Sequence, residues 1–231
     1  TSDNSETDAT SDFFKVIDSL SKTISELEKT PDLLEKSQEE KALTVVEEAN
    51  EEIKEYNPKE LVGMANEDAA AAADVLILTV PLQAQSATLK TIKEHTKGKV
   101  LLDATVPLET AIGGPVSNVL HINPGSAAER AANILKDADV KVVAAFNNIS
   151  NSHLANIPNP IECDCLICGD DGKAKEIASD IIEKIPGLKA IDIGPLNKAH
   201  LIESITPLLI GMNIKFKSHY GGFRITGIDF E

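Results

Sequence analysis

Three cysteines crowd into the stretch CDCLIC, as Cys163, Cys165 and Cys168. Their C-x-C and C-x-x-C spacings are ones that could hold a metal ion. In a β-strand, however, Cys163 and Cys165 would share one face and Cys168 would lie on the other, and no histidine follows within ten residues. We therefore favour structural cysteines, packed as small apolar side chains, over a metal site.

Other candidate ligands and acid–base groups have equally simple explanations. The aspartates of GDD, residues 169–171, could bind a cation, but a predicted helix begins directly after them, and capping by Asp170 or Asp171 explains the motif. The five histidines are scattered, and none lies beside a serine or cysteine motif, which argues against a catalytic triad. Together these patterns argue against a metal site and a catalytic triad.

One further acidic residue, Glu203, lies in the apolar stretch HLIESITPLL. Its side chain could be buried against a cleft. We favour the alternative, in which it faces solvent or an ion-pair partner. Pro207 in the same stretch predicts a kink in the helix, at the rim of such a cleft.

Alternating strands and helices from residue 63 onward must position these groups. We predict strands near 74–79, 99–104, 140–146, 163–168 and 189–193, with a short last strand at 223–228. The predicted helices lie near 66–73, 83–95, 126–136, 172–184 and 197–217. Apolar strands in this alternation predict an α/β, Rossmann-like, mostly parallel sheet covered on both faces.

The N-terminal quarter is a different kind of sequence. Residues 1–62 hold 17 Asp and Glu against 7 Lys and Arg, and residues 1–12 are too polar to order themselves. A predicted helix follows, with Asp12 as its N-cap. The apolar stripe of this helix either belongs to a solvated surface or docks on a partner. The stripe consists of Phe13, Ile17, Leu20, Ile24 and Leu27. The predicted organisation is a disordered tail at 1–12, a helical segment at 13–57, an α/β core at 58–160 and a C-terminal portion with a long helix at 161–231.

Composition narrows the classes of partner. The net charge of −15 disfavours nucleic acid and anionic membrane surfaces, which need clustered Lys and Arg. The longest apolar runs are about eight residues, well short of the roughly 20 that span a bilayer. An odd number of cysteines, with no secretory signal, predicts a cytoplasmic protein without a disulfide framework.

Glycines that would hold nucleotide phosphates are missing from the expected place. A dinucleotide fold uses G-x-G-x-x-G after its first strand, but the first glycine in this sequence is Gly63 and no later set has that spacing. IGGP at 112–115 and YGGF at 220–223 are predicted turns. The predicted sheet therefore lacks the usual first strand and its Gly-rich loop.

Several stretches nevertheless resemble one family of reductases, the 8-hydroxy-5-deazaflavin:NADPH oxidoreductases, which use coenzyme F420. They include GMANEDAA, ADVLILTVP, LLDATVPL, PGSAAERAA, VVAAFNNIS, CLICGDD, IDIGPLNKAHLIESITPLLIGMN and FRITGI, in collinear order from Gly63 to the end. The stretch at 37–49 is weakly similar to the helix after the family's second strand, whereas residues 1–36 match nothing in it. The resemblance implies a small C-terminal helical domain beside the sheet.

The resemblance also implies a reaction and a site. The reaction would be a reversible hydride transfer between the deazaflavin coenzyme and NADP, in which the protein aligns two ring systems and needs no nucleophile. The positions that match the family's ring-binding loops are Thr79, Val80, Pro81 and Leu82 after one strand, Val106, Pro107 and Leu108 after the next, and Asn147, Asn148, Ile149 and Asn151 in a third loop. The GPL turn at 194–196 is a further candidate contact for the deazaflavin. Family members often have histidine where this chain has Asn147, so a hydrogen-bonding group is kept and a titrating group is lost.

Two departures from the family follow from the N-terminal sequence. The family's Gly-rich turn and the Ser-Arg pair for the adenosine 2′-phosphate should fall before residue 37, and neither is present. Without the first strand, the strand at 74–79 becomes a long apolar edge, which invites aggregation. We expect the N-terminal helices, a second copy of the chain in a homo-oligomer, or another protein to cover it.

A function of another class stays open. The chain could be a paralogue that has lost catalysis and acts as a binding or assembly subunit through its N-terminal helices. The missing glycines favour that interpretation, and the TVP, ATVPL and GPL loops favour the enzyme. A third possibility is that the first 36 residues reflect a truncated or misread chain start.

Overall fold

The computed structural model describes residues 63–155 and 159–228. The chain divides into two compact units, one of Thr1–Ala65 with Asn151–Asn159 and one of Asn66–Ser150 with Pro160–Glu231. The predicted tail at 1–12 and the predicted helices at 13–57 lie outside the described residues. Residues 151–155 belong to the first unit, and the strands and the other helices belong to the second.

Five strands form one sheet in the described residues. They are β1 (Val75–Leu78), β2 (Val100–Asp103), β3 (Lys141–Ala144), β4 (Asp164–Gly169) and β5 (Lys189–Asp192). All five fall where strands were predicted, because most of them are short apolar runs ended by a turn. The strand order is β1-β2-β3-β4-β5.

Most neighbouring strands in the sheet are parallel. β1 pairs in parallel with β2, and β2 with β3, in a register that places Leu78 beside Asp103 and Asp103 beside Ala144. β4 is antiparallel to β3 and parallel to β5. The predicted mostly parallel α/β sheet is therefore confirmed, with one antiparallel junction.

The described residues contain six helices. They are α1 (Asn66–Ala72), α2 (Leu82–Ile92), α3 (Ala127–Leu135), α4 (Asn151–Ala155), α5 (Gly172–Ile182) and α6 (Ala199–Phe216). Helix α4 belongs to the first unit. Short 3₁₀ turns lie at Lys93–His95, Glu109–Ile112 and Leu196–Lys198. Helix α6 continues past Pro207, which is buried within it, so the proline does not end the helix, and the kink stays a prediction.

The core is built from aliphatic side chains, as the low aromatic content of the chain requires. Leu101 and Leu102 of β2 and Val143 of β3 are fully buried in the middle of the sheet. Helix α3 packs against β2, β3, α2 and α6, while α5 packs against β3, β4 and β5. These contacts fix the carboxyl ends of β1, β2 and β3 relative to α3 and α6.

The predicted strand at 223–228 is wrong. Those residues form no strand, although the Asp164 N–H donates to the Phe223 carbonyl at 2.9 Å. The Ile225 N–H is bound at 2.7 Å by the Asp164 carboxylate. Because the Asp164 side chain, and not a backbone carbonyl, accepts from Ile225, the ladder of backbone hydrogen bonds does not continue past Phe223.

None of the described helices is both long enough and apolar enough to cross a membrane.

Candidate active site

The loops after β1, β2 and β3 leave the sheet at the same edge. The three strands are parallel neighbours, and the pairing continues past their ends: Ala104 N–H donates to the Leu78 carbonyl at 3.0 Å, and Ala145 N–H to the Asp103 carbonyl at 3.2 Å. Ligands of open α/β sheets bind outside the carboxyl ends of the strands. The structure therefore brings together the sequence-predicted site residues from Thr79 to Ile149.

The loop after β1 runs directly into helix α2. Thr79 is exposed, Val80 and Pro81 are half-buried, and Leu82 is buried. Pro81 precedes the first helical residue, and its carbonyl accepts hydrogen bonds from Ala84 and Gln85. A ligand at this edge would meet Thr79, Val80 and Pro81, whereas the Leu82 side chain packs into the core.

The loop after β2 is held by backbone hydrogen bonds. The Pro107 carbonyl accepts from the Leu120 N–H at 2.7 Å, and Leu108 forms an isolated bridge with Val119. Val106 and Leu108 are half-buried, and Pro107 is buried. This loop presents a mainly apolar surface that these backbone hydrogen bonds hold in place.

Asn147 ties the third loop to the second. Its Nδ2 donates to the carbonyls of Asp103 at 3.2 Å and Thr105 at 3.0 Å. Asn147 is 4% exposed, and its Oδ1 has no hydrogen-bond partner in the structure. The hydroxyl of Thr206, on α6, donates to the Asn147 carbonyl. Asn147 is therefore fixed between the end of β2 and helix α6, and one acceptor atom is left over.

The other members of the third loop have different roles. Asn148 donates from Nδ2 to the Asp164 carbonyl at 2.7 Å and accepts from the Leu166 N–H at 3.1 Å, so its amide binds the backbone of β4. Ile149 is half-buried. Asn151 is the first residue of α4, in the first unit. The Asn148 side chain is thus occupied by β4, and the ring-binding roles of Asn147, Asn148, Ile149 and Asn151 stay predictions.

A buried polar network beneath these loops was missed from the sequence. Gln85, which is fully buried, donates from Nε2 to Asp103 Oδ2 at 2.6 Å and to the Ala127 carbonyl at 3.0 Å. Its Oε1 accepts from Arg130 Nε at 2.7 Å, while Arg130 also donates to the Leu82 carbonyl. The network thus links helices α2 and α3 to the end of β2.

Asp103 is the acidic centre of this network. Burial raises the pKa of its carboxyl group to about 6, against the opposing effects of hydrogen bonds from Thr105 and Gln85 and the charge of Arg130. Its Oδ1 accepts from the Thr105 N–H at 2.9 Å, which shapes the turn that leaves β2. Asp103 therefore holds the loop. The signal in the sequence was a carboxylate at the end of an apolar run.

Glu203 corrects a second expectation, because it does not face solvent or an ionic partner. It is 1% exposed and accepts hydrogen bonds from the backbone N–H groups of Ala127 at 2.8 Å and Ala128 at 3.1 Å. Burial raises the pKa of Glu203 to about 8, although the two backbone hydrogen bonds favour the ionised form. The positive end of α3 supplies the partner that a cation would otherwise supply.

The helix N-terminus at α3 is closed by this chain's own side chains. Ser126 caps it and accepts from the Glu129 N–H at 3.0 Å, in addition to the two bonds of Glu203. The first N–H groups of α3 are therefore satisfied, and this helix end does not offer a free anion site.

The cysteines and the GDD motif have the structural roles that were predicted. All three cysteines are free and buried, and burial raises the pKa of Cys163 to about 11 and those of Cys165 and Cys168 to about 12. Asp171 caps α5 by accepting from the Ala174 N–H at 2.8 Å, and Asp170 accepts from the Leu196 N–H. The second of these bonds ties GDD to the GPL turn, whose contact with a deazaflavin stays a prediction.

Comparison with known proteins identifies relatives of this fold and site. A family described as NADP oxidoreductase coenzyme F420-dependent matches residues 23–107. This match includes residues 23–36, so the expectation that nothing before residue 37 resembles the family is wrong.

Two curated relatives match over most of their length. An F420-dependent NADP reductase of Methanothermobacter marburgensis is 50% identical over 189 residues, 82% of this chain and 84% of the relative. One from Methanocaldococcus jannaschii is 42% identical over 193 residues, 83% of this chain and 86% of the relative.

Solved structures agree at the level of the fold. A protein of Arthrobacter sp. FB24, described as a candidate F420-dependent NADP reductase, has a TM-score of 0.66 at 21% identity, covering 76% of this chain and 80% of that one. At that identity the likeness shows the α/β fold and no more. The curated relatives show the rest: this chain belongs to the family of F420-dependent NADP reductases.

Proposed function

We propose that this protein transfers a hydride reversibly between the deazaflavin coenzyme F420 and NADP. The observation that carries the proposal is the 50% identity, over four-fifths of the chain, to a relative named for that activity. That identity extends over the strands whose carboxyl ends carry the three loops. When bound, the two coenzymes supply the hydride donor and acceptor, so the protein needs no covalent chemistry.

The loop residues suit flat ring systems. Val80 and Pro81 after β1, Val106 and Leu108 after β2, and Ile149 after β3 are apolar and half-buried. Side chains of this kind pack against ring faces and exclude water, while a few fixed polar groups set the orientation. Asn147 holds this loop in place, since the carbonyls of Asp103 and Thr105 accept from its amide, and its Oδ1 is a buried acceptor without a partner.

The buried acids in this region hold the protein together rather than react. Asp103 bonds to Gln85 and to the Thr105 backbone, and Glu203 bonds to the first turn of α3. Each carboxylate is occupied by donors of this chain. The contribution of the protein to the reaction is therefore the alignment of two rings. This alignment brings the hydride donor and acceptor close together in the right orientation.

The direct test measures turnover and the binding of each coenzyme separately with the full chain. Oxidation of the reduced deazaflavin by NADP is followed by absorbance, and each coenzyme is titrated alone by calorimetry. Binding of both coenzymes, with turnover, supports the proposal. Binding of only one coenzyme, or of neither, contradicts it.

A pair of variants assigns the binding to the proposed loops. Leu108→Asp places a charge on the half-buried loop after β2 and should weaken deazaflavin binding at least tenfold. Ile112→Asp is the matched control, because Ile112 is 72% exposed only four residues further on. Equal affinities in the two variants would show that the rings bind elsewhere.

The cellular setting and the assembly are part of the proposal. The three free thiols suit the reducing cytoplasm, where disulfides are rare.

Within the described residues β1 pairs with β2 on one side only. We therefore expect its outer edge to be covered by another part of the chain, by a second copy or by another protein.

A further inference from the structure

Three polar side chains lie between the loop after β1 and the loop after β2. Asp103, the last residue of β2, is fully buried, as is Gln85 in the first turn of α2. Arg130, on α3, is half-buried. Gln85 joins the other two, since its Nε2 donates to Asp103 Oδ2 at 2.6 Å and its Oε1 accepts from Arg130 Nε at 2.7 Å. The three side chains therefore form one continuous network.

Each end of this network bonds to the backbone of one loop. At one end, Asp103 Oδ1 accepts at 2.9 Å from the N–H of Thr105, directly before the candidate ring-binding positions of the second loop. At the other end, Arg130 Nη2 donates at 2.7 Å to the carbonyl of Leu82, where the first loop enters α2. The network therefore fixes the two loops relative to each other.

The orientation of the Gln85 amide matches an ionised Asp103. Its NH₂ group faces two acceptors, the Asp103 carboxylate and the Ala127 carbonyl at 3.0 Å, while its oxygen faces the Arg130 guanidinium. Turning the amide over would place two donors, its NH₂ group and the guanidinium, against each other. Both oxygens of Asp103 accept from donors, so a proton on either oxygen weakens the bond at that oxygen.

Two charged groups of the described residues act on Asp103. The charge of Arg130, on α3, favours its ionised form. Glu203, on α6, bonds to the N–H of Ala127 and is coupled to Asp103 by repulsion between the two acids. The strand β1 and the buried part of β3 carry no ionisable side chain, and the only one on α2 is Lys90, in its last turn. The charge of Asp103 is therefore governed by one cation and one acid.

A site whose walls are already in the bound geometry binds its ligand more tightly than one that must first rearrange. We propose that Asp103, Gln85 and Arg130 are positioning residues, which hold the two loops at the spacing that the coenzyme rings require; this role rests on the proposed function. When the network is broken, only part of the free protein is competent to bind, so the dissociation constant rises. The value of kcat at saturation stays the same, because the bound coenzymes restore the spacing.

The affinity for the deazaflavin, measured by calorimetry against pH, tests the proposal. Burial raises the pKa of Asp103 to about 6, so the network is weakened as the pH falls below about 6. The dissociation constant of the wild type should rise about tenfold between about pH 7 and pH 5, and kcat should not follow it. Any ionisation of the coenzyme itself appears equally in every variant and cancels in their ratio.

Two substitutions isolate Asp103 in this measurement. Asp103→Asn should raise the dissociation constant about tenfold at neutral pH and remove the rise at low pH. Asp180→Asn is the matched control, because Asp180 is exposed on α5. It should keep the profile of the wild type. Circular dichroism shows whether both variants keep the fold.

A double variant moves the negative charge along the network. In Asp103→Asn with Gln85→Glu, the carboxylate at position 85 can accept from Arg130 and from the amide at position 103. The oxygen of that amide can still accept from the Thr105 N–H. The double variant should therefore bind the deazaflavin more tightly than either single variant. Independent structural roles for the two residues would instead give additive losses.

Amide chemical shifts of the coenzyme-free wild type test the network without any substitution. The N–H of Thr105 should report the titration of Asp103. The N–H groups of Ala84 and Leu120 donate to carbonyls of the first and the second loop, and both should shift with the same midpoint. Constant shifts at Ala84 and Leu120 while Thr105 titrates overturn the proposal.

The outcomes separate this proposal from the proposed function. A chain that binds no deazaflavin at any pH contradicts the proposed function, and the amide shifts then decide whether the network holds the loops. Where the deazaflavin binds, parallel pH profiles of affinity in the wild type and Asp103→Asn overturn the positioning role. A double variant that binds no more tightly than the single variants overturns it as well.

Discussion

The carboxylate of Glu203, on α6, accepts a hydrogen bond of 2.8 Å from the backbone N–H of Ala127, the first residue of α3. The two residues are 76 positions apart in the chain. This bond, with its neighbour from Ala128, fastens the C-terminal helix to the helix that packs beneath the candidate site. Its consequences should be visible in the stability of the protein.

Glu203 should make the free energy of unfolding depend on pH. Burial raises its pKa from 4.5 to about 8, so the folded protein holds this proton more tightly than the unfolded chain. The resulting stabilisation is complete below about pH 4.5 and is lost as the pH rises through about 8. Glu203→Gln cannot ionise and should remove this part of the decline in urea unfolding between about pH 5 and pH 9.

The control is Glu176→Gln, at an exposed glutamate on α5. The decline in stability with rising pH should persist in this variant, because Glu203 is still present. If Glu203→Gln gives a profile parallel to that of the wild type, Glu203 does not titrate in this range in the folded protein.

Gln85 should be the most sensitive polar residue near the site. Gln85→Leu keeps the volume but leaves Asp103 and Arg130 without their shared partner. Breaking a buried ionic network in this way costs about 3 kcal/mol of stability. The loss of a donor should also raise the pKa of Asp103 further above about 6, which carboxyl carbon chemical shifts in NMR would report.

Gln83→Leu gives the matched comparison, because Gln83 is exposed on the same helix two residues away. Its effect on the free energy of unfolding should stay within about 0.5 kcal/mol, as for other surface changes. Similar losses in the two variants would mean that the network does not hold the fold.

The sheet could be predicted from sequence because most of its strands are local apolar runs. The strand at 223–228 was predicted on the same grounds and is wrong, since its pairing depends on where the Asp164 side chain points. Local sequence does not specify that orientation. Strand position follows from nearby residues, but ladder formation depends on contacts made across the fold.

The candidate site could also be predicted only in part from the sequence. The loops after β1, β2 and β3 could be located from sequence because they follow the predicted strands. The partners of Gln85 and Glu203 could not, since a polar residue in a helix is usually assigned to its solvent face. Only the packing of α2, α3 and α6 shows that both side chains point inward.

Because residue 147 is an asparagine, its side chain should contribute no ionisation to the pH profile of the reaction. Its amide carries no proton that is exchanged near neutral pH, whereas a histidine there would titrate near 6.5 in the absence of perturbation. Asn147→His should therefore introduce a new ionisation between about pH 5.5 and 7.5 into the pH profile of kcat for deazaflavin oxidation. Asn133→His, at an exposed position on α3, should add none. A profile of Asn147→His that superimposes on the wild type would remove this residue from the reaction.

The outer edge of β1 should be protected from solvent. The carbonyls of Asp74 and Leu78 accept from β2, at Val100 and Ala104, so the even-numbered residues of the strand face β2 and Val75 and Ile77 face outward. If the edge is covered, the amides of Val75 and Ile77 should exchange with solvent as slowly as that of Leu76, which serves as the internal control. Fast exchange at Val75 and Ile77, with slow exchange at Leu76, would show an open edge.

The three cysteines should not react with thiol reagents until the protein unfolds. Each is at most 1% exposed, and burial raises the pKa of each thiol to about 11 or 12, so almost no reactive thiolate is present at neutral pH. An aromatic disulfide reagent should label none of them in the native protein within minutes and all three in urea. Ala87→Cys, at an exposed position on α2, provides a thiol that should react at once. Rapid labelling of a native cysteine in the wild type would show that β4 opens readily, contrary to its central place beside β3 and β5.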